Sequence, residues 1–409
     1  MDSQDPLIEL VTNPEFSMPP GNPQWSQLLE PYLKSALIHA DAYNSNDIRN
    51  HLDFFNNIIA PNLGPGPLVG TQNGSSCYQP QYPSSMTNDL TPFELSLCWK
   101  SPKQEGKPIV RFVNDIIPPN AERSRAASIA QSLRLIRRLQ SVIEKKSSPL
   151  TLHMLPDIWK AVSKALLVSD SGLHSHNDCS QCGSSSCFVG FDLKQSVVSG
   201  KFYWRLPSCM GVKKTLEIMD EVFSACSTVH DFLVSPIFRK SWAHIRDHLC
   251  THSETLAPCM LSIDATAFPA PRIKIYVRCR FQGERNFEAW EQHLHVDGSV
   301  TCPDDFRSNC RDIWTSLATS PEYSMHPQPD AGPEYCLILY ELTAPSASTI
   351  DEVVKLRQKL SSKLYIMCQE IPLPDSFIAA QLLRHCNLTA DSSLLKYEWL
   401  HLPNILKRG

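Results

Sequence analysis

Arg272-Ile273-Lys274-Ile275-Tyr276-Val277 decides how the rest of the chain is read. Side chains alternate between faces along a strand. Arg272, Lys274 and Tyr276 therefore share one face, and Ile273, Ile275 and Val277 take the other. The arrangement returns in Lys201-Phe202-Tyr203-Trp204, where Lys201 and Tyr203 oppose Phe202 and Trp204, and again in Lys363-Leu364-Tyr365-Ile366. In Phe93-Glu94-Leu95-Ser96-Leu97-Cys98-Trp99, Glu94, Ser96 and Cys98 oppose four apolar residues. An amphipathic sheet with its polar side in solvent explains any one of these strands. Solvent faces mix Lys with Glu, Thr and Ser, however, and do not need a Tyr two residues after each Lys. If the apolar faces meet helices, the cation and tyrosine faces meet one another. The expected result is a wide barrel with a polar, aromatic-lined lumen and helices outside. A TIM barrel differs, because apolar branched side chains fill its interior.

The surrounding sequence supplies partners for these strands. Strand-like runs cover 93–99, 109–117, 188–193, 201–206, 260–266, 272–280, 335–342 and 363–367. Helix-like periodicity covers 126–144, 155–167, 211–229, 236–248, 285–293, 305–318 and 350–360. Strands come mostly in twos, joined by short turns and hence antiparallel, with helices between the pairs. The pattern is a repeated helix–strand–strand–helix unit, not βαβ winding, so the fold class is α+β. Residues 1–68 read as largely helical up to the stop at Pro61-Asn62-Leu63-Gly64-Pro65-Gly66-Pro67, and 70–90 read as a polar loop. No long Pro/Gly/Ser linker divides the chain. The expectation is a single domain over 1–409, with barrel repeats over 91–367 and a tail over 368–409 without an assigned role.

Composition narrows the function. A net charge of −4 and a pI near 6.4 give no global positive field for nucleic acid or an anionic membrane. Any anionic ligand has to meet a local cluster of cations. The start Met1-Asp2-Ser3-Gln4-Asp5 lacks the basic and apolar parts of a signal peptide, and no run of about 18 apolar residues occurs. The protein is expected in the cytoplasm, with its 15 cysteines (Cys98, Cys209, Cys226, Cys250, Cys279 and Cys336 among them) as reduced, mostly buried thiols.

A lumen lined this way has a definite chemistry. Arg111, Lys201, Arg272, Lys274 and Lys363 would form a cationic pocket, and cations of one sign repel unless an anion joins them. A diphosphate suits the pocket, since charge-assisted bonds to Arg and Lys are worth about 1.5–3 kcal/mol each. Tyr203, Tyr276 and Tyr365 lie one step along the same faces. Their rings would stabilise a carbocation by about 2 kcal/mol or more each and keep water from quenching it. A leaving diphosphate beside an aromatic cage is what allylic transfer needs. Glu94, the lumen-facing carboxylate, would either orient an indole N–H or phenol O–H or serve as a salt-bridge partner for a cation. Lys194, which shares a face with Asp192, is a candidate base for the ring proton.

At these residues the sequence resembles the fungal dimethylallyltryptophan synthase family of aromatic prenyltransferases, which have the ABBA barrel fold. The matching residues are Ala60-Pro61-Asn62-Leu63-Gly64-Pro65, Thr91-Pro92-Phe93-Glu94-Leu95-Ser96, Val110-Arg111-Phe112, Phe191-Asp192-Leu193-Lys194, Lys201-x-Tyr203 followed by Pro207, and Ile263-Asp264 leading to Arg272-Ile273-Lys274-Ile275-Tyr276. The resemblance spans about residues 20–365. It implies that Arg111, Lys201, Arg272 and Lys274 hold the diphosphate, that Tyr203, Tyr276 and Tyr365 belong to a tyrosine shield, and that Glu94 contacts the acceptor. It also implies dimethylallyl diphosphate as donor, an indole or phenolic polyketide acceptor, and no metal or other cofactor. The chain has no aspartate-rich DDxxD box; Asp304-Asp305-Phe306-Arg307-Ser308 does not fit one. Two departures stand out. Asn114-Asp115-Ile116-Ile117-Pro118-Pro119 replaces an acidic residue followed by Pro, and the tail is short for the last strands, leaving Tyr397 as the candidate final shield tyrosine.

Rival readings remain. His174, His176, Cys179, Cys182 and Cys187 have zinc-ligand types and a C-x₂-C spacing, against a Ser- and Gly-rich loop before a strand. The barrel could instead house a cyclase that has lost diphosphate use, or a small-molecule binder. A homodimer is left open. Gly-x-Gly-x-x-Gly, a Walker loop and His-Glu-x-x-His are absent, and Asn73-Gly74-Ser75 and Asn387-Leu388-Thr389 are read as unused glycosylation patterns.

Overall fold

The computed structural model describes residues 23–72, 75–87, 90–98, 107–120, 124–145, 149–170, 185–227, 231–264, 272–280, 287–296, 304–318, 335–343 and 360–365, with a few positions between 377 and 384. Helix α1 (Pro23–His39) leads to α2 (Ser45–Phe54). The Asn44 side chain accepts from the Asn46 and Asp47 amides while Asp47 reaches back to the Asn44 N–H, so a capping box sets where α2 begins. The chain then widens into a π-helical turn over Phe55–Ile59 and tightens into a 3₁₀ turn at Ala60–Asn62. Gly64 follows at φ +76°, and a Cβ there would lie 2.5 Å from Ile117 Cγ2. Only glycine lets this segment close on the end of the sheet, where the Ile117 amide donates to the Asn62 carbonyl at 3.1 Å.

Beyond the hairpin β1 (Leu68–Gln72) and β2 (Ser75–Gln79), strands and helices come in pairs: β3 (Phe93–Cys98) and β4 (Ile109–Asp115); α3 (Arg125–Lys145), the short β5 (Thr151–His153) and α4 (Pro156–Asp170); β6 (Cys187–Lys194) and β7 (Val197–Arg205); α5 (Val212–Cys226) and α6 (Pro236–Thr251); β8 (Leu256–Asp264) and β9 (Arg272–Arg280); α7 (Glu288–Leu294) and α8 (Asp304–Ala318); β10 (Tyr335–Thr343) and β11 (Leu360–Tyr365). The main sheet runs β11-β10-β9-β8-β7-β6-β4-β3, every neighbouring pair antiparallel, with β5 joining β7 in parallel.

Alternation places the core. Phe112, Phe191, Phe202, Trp204, Ile263, Ile275, Val277, Ile338 and Tyr340 point to one side and are buried. Helices α3, α5, α6 and α7 pack there, with Phe54 at the end of α2 edge-on to Phe191 and Phe55, just after it, edge-on to Phe93. The other face is concave. Strands β7, β9 and β11 alternate with neighbours about 4.8 Å apart, so successive members of the set are separated by nearly 10 Å. Their tyrosines nonetheless meet, with ring centroids 6.3 Å (Tyr203–Tyr276) and 5.7 Å (Tyr276–Tyr365) apart.

The strand–strand–helix–helix repeat is therefore as expected, with some corrections. Residues 70–90 are not all loop: β1 and β2 form a hairpin with Gln72 opposite Ser75. The Asn73-Gly74 dipeptide between them was the available signal. Leu360, expected to end a helix, begins β11, where it pairs with Leu342; 350–359 lie outside the described residues. The β5–β7 pairing breaks the all-antiparallel expectation, and a three-residue strand has too little pattern to be read in advance. Among the described residues no helix is long and apolar enough to cross a membrane.

Candidate active site

Charged side chains from seven consecutive strands converge on the concave face. Arg111 on β4 pairs with Asp192 on β6 at 3.0 Å, and the same carboxylate takes the Lys201 ammonium from β7. Asp264 on β8 bonds Lys274 and, at 2.6 Å, Arg272, both on β9. Glu341 on β10 accepts Lys363 of β11 at 2.8 Å and lies 3.5 Å from Arg272. In sheet order the strands carry a cation, an anion, a cation, and so on to β11. The structure thus brings all five sequence-predicted cations together. It corrects the picture of a purely cationic pocket: three acidic partners are interleaved with them. Asp192 and Asp264 stood within quoted motifs without this role. Glu341 was missed, although a single carboxylate in the apolar run Cys336-Leu337-Ile338-Leu339-Tyr340-Glu341-Leu342 is itself a signal.

The belt's electrostatics follow from burial and pairing. Burial pushes Lys201 down to about 8; Asp192 opposes the shift, while Arg111 and Lys274 add to it. Burial also lowers Lys274 against the pull of Asp264. For Asp264 burial acts upward, yet Lys274 and Arg272 outweigh it and hold the carboxyl below its usual range. Glu341 is lowered in the same way, with Lys363 and Arg272 overcoming burial. Asp264 and Glu341 thus stay ionised, and the acidic side chains stand between the cations. Five cations against three carboxylates still leave two positive charges in excess.

The tyrosines form a row beside the belt. Tyr203 pairs in register with Ser262, and Met260 with Tyr276. Gly190 makes room for the row: a Cβ there would come within 3.0 Å of the Tyr203 ring and 3.2 Å of Val113. Burial, then nearby Asp192 and Asp264, raises the Tyr203 phenol. Tyr276 is raised well above its ordinary value by burial and by its two tyrosine neighbours. Tyr203 and Tyr276 therefore stay neutral and present ring faces and O–H groups. Tyr276 is buried, Tyr203 half-buried, and Tyr365 lies at the rim.

The remaining predicted residues are placed less uniformly. Glu94 shares the concave face with Arg111, each on the polar side of the β3–β4 pair. Glu94 is exposed to solvent, yet the protein around it partly desolvates the carboxyl and raises its pKa. Lys194 is exposed at the end of β6, opposite Val197, and is not brought up to the tyrosines. The position that faces Tyr203 on β6 is Phe188. Tyr397 lies outside the described residues, as does most of the 174–187 segment. Cys187 opens β6, buried on the helix side and within 2.8 Å of Ser132 Oγ. The departure at Asn114-Asp115 is buried: Asp115 accepts from Ser84 at 2.7 Å and from Ser185, and burial lifts it to about 6. Alternation also puts Arg205 and Arg278 on the concave face, one step beyond Tyr203 and Tyr276.

The sequence profile described as tryptophan dimethylallyltransferase matches residues 22–392. The chain belongs to this family. It is an aromatic prenyltransferase with the ABBA-type α+β fold, transferring a prenyl group from a diphosphate to an aromatic acceptor. Among relatives, prenyltransferase iacE of Pestalotiopsis fici is 24% identical over 343 residues, covering 81% of this chain and 72% of that one. The 4-O-dimethylallyl-L-tyrosine synthase of Claviceps purpurea is 24% identical over 304 residues, 73% of this chain and 62% of its own length. Among solved structures, NotF in complex with brevianamide F and DMSPP superposes with a TM-score of 0.60 at 16% identity, covering 97% of this chain and 90% of that one. At that identity the likeness speaks for the fold.

Proposed function

We propose that the chain transfers a dimethylallyl or longer prenyl group to an indole or phenolic ring without a catalytic metal, working in the cytoplasm as one catalytic unit. The alternating belt beside the tyrosine row carries the reading. Arg111, Lys201, Arg272, Lys274 and Lys363 would take the diphosphate, giving up part of their bonding to Asp192, Asp264 and Glu341 as they turn to phosphate oxygens. As the allylic C–O bond breaks, the electron pair leaves with the diphosphate. The belt's excess positive charge stabilises that leaving group without reorganising. The allylic cation is then held against the faces of Tyr203, Tyr276 and Tyr365, with Tyr397 as the proposed fourth member of the shield.

Glu94 would accept the N–H or O–H of the acceptor and fix which ring carbon attacks. The arenium ion formed must then lose a proton. Lys194, in its neutral amine form, is the proposed acceptor of that proton, relayed through water from the rim of the lumen. Arg205 and Arg278, beyond the tyrosines, would suit an acidic group on the acceptor, which favours aromatic amino acids and their derivatives over neutral polyketides. The test is incubation with dimethylallyl diphosphate and a panel of indoles and phenols, with product masses read with and without EDTA. Prenylated product in both arms is expected. Activity lost in EDTA and restored by Mg²⁺ would overturn the metal-independent mechanism. Glu94→Gln should lower kcat/KM for the acceptor at least tenfold and leave the donor KM unchanged; an unaltered acceptor kcat/KM removes its assigned role.

A further inference from the structure

A second cluster lies on the opposite side of the sheet. His248 on α6 and His252, one turn further on, face His293 of α7. The ring centroids form a triangle with sides of 4.6 Å (His248–His252), 5.4 Å (His248–His293) and 4.8 Å (His252–His293). One ring nitrogen from each lies within 4.8 Å of the others. His248 and His293 are each 1% exposed, and His252 is half-buried.

From this convergence we infer that His248, His252 and His293 form a binding site for one divalent transition-metal ion of the zinc class, with a structural role. Two nitrogens bound to tetrahedral zinc at about 2.0–2.1 Å sit about 3.3–3.4 Å apart. His293 Nδ1 and His248 Nε2 are 3.3 Å apart. An N–H···N bond between them explains one side of the triangle, whereas a shared ion explains why all three rings converge. Three imidazoles with spacing i, i+4 on one helix and the third on another leave a fourth position for water on the half-exposed His252 side.

The site's place in the fold says what the ion would do. Tyr340 of β10 donates its O–H to the His293 carbonyl at 2.9 Å and sets its ring edge-on to His248, 6.4 Å away. Its neighbour in sequence, Glu341, points to the concave face and holds Arg272 and Lys363. The ion would therefore pin α6 to α7 behind the strand that carries Glu341. It would lie across the sheet from the diphosphate belt, outside the reaction itself.

The experiment uses the full chain, stripped with a chelator and dialysed. Co²⁺ is titrated while visible absorption is read, followed by Zn²⁺ competition and thermal unfolding. About one equivalent of Co²⁺ should give the absorption of a four-coordinate site of three nitrogens and one water, which Zn²⁺ then abolishes. Zn²⁺ should raise Tm by several degrees, reversibly with EDTA. His252→Ala, at the half-exposed corner, should weaken binding by more than about 100-fold, exceeding the loss usual for outer-shell partners. Its metal-free Tm should stay near that of the parent. Prenyl transfer by the stripped protein well below its Tm should be retained. No stoichiometric cobalt band, or an unchanged affinity in His252→Ala, would reduce the cluster to three hydrogen-bonded imidazoles.

Discussion

Replacing Asp264 by Asn removes one negative charge from the belt at nearly constant volume. The carboxylate bonds Lys274 and, at 2.6 Å, Arg272, and Lys201 adds to the positive field around it. A pair of unit charges about 4 Å apart is worth about 4 kcal/mol at an effective dielectric of 20. Breaking a buried pair costs about 3–5 kcal/mol. Because the Arg272 side chain is 37% exposed, the lower end applies, about 3 kcal/mol. Unfolding entropy near 2.1 cal/mol/K per residue over 409 residues gives about 0.9 kcal/mol/K, so Tm should fall by about 3–4 °C. The same change raises the belt's excess positive charge from two to three. Inorganic diphosphate at about 100 times its Kd contributes about 2.7 kcal/mol to the parent, about 3 °C. The same concentration should lift Asp264→Asn by at least a degree more. Differential scanning fluorimetry with and without diphosphate reads both effects. A variant with the parent's Tm and the parent's diphosphate shift would show that Asp264 and the cations are not coupled, and the belt would lose its explanatory role.

Two further predictions use the same geometry. Lys201 titrates at about 8, below its ordinary 10.5, so the free enzyme loses this charge as pH rises through about 8. Since diphosphate prefers the charged form, kcat/KM for the donor should fall above that pH, by up to about tenfold per unit. Lys201→Arg stays charged and should flatten this limb; superimposable profiles would refute the assignment. Tyr276→Ala removes the ring between Tyr203 and Tyr365 and should lower kcat about 30-fold, the equivalent of about 2 kcal/mol, while raising the fraction of donor hydrolysed. Tyr276→Phe keeps the ring face and should stay within a few-fold of the parent. Equal losses in both variants would point to the phenol O–H and away from the ring.

The part of the fold legible in the sequence was the part governed by a period of two. Arg272–Arg280 was bounded at both ends because cation, aromatic and branched apolar residues alternate through it without interruption. Glu341 escaped notice because its strand is apolar on both faces: Leu337 and Leu339 share its side, so alternation carries no contrast there. The ion pairs were illegible for a different reason. Register decides which of Asp192, Asp264 and Glu341 meets which cation, and register depends on turn lengths and on the β8 irregularity between Pro258 and Met260. The histidine triangle joins two helices 41 residues apart in sequence at its closest, from His252 to His293, a distance no local pattern spans.

The alternation of sign across the sheet follows from the demands of an anion site that must fold before its anion arrives. Cations on neighbouring strands about 4.8 Å apart would repel at short range in a partly desolvated space. An acidic residue on each intervening strand relieves that repulsion and fixes each ammonium and guanidinium in place. The chain does this on β6, β8 and β10, between cations on β4, β7, β9 and β11. Complete neutralisation would leave nothing to attract a diphosphate, so the cations must outnumber the acids, as they do by two. The carboxylates are thus the resting partners of the same groups the substrate recruits. On the proposed reading, diphosphate binding would exchange part of the cations' bonding to these carboxylates for phosphate oxygens, so the charge is already in place when the leaving group departs, the condition under which a preorganised site stabilises it most strongly.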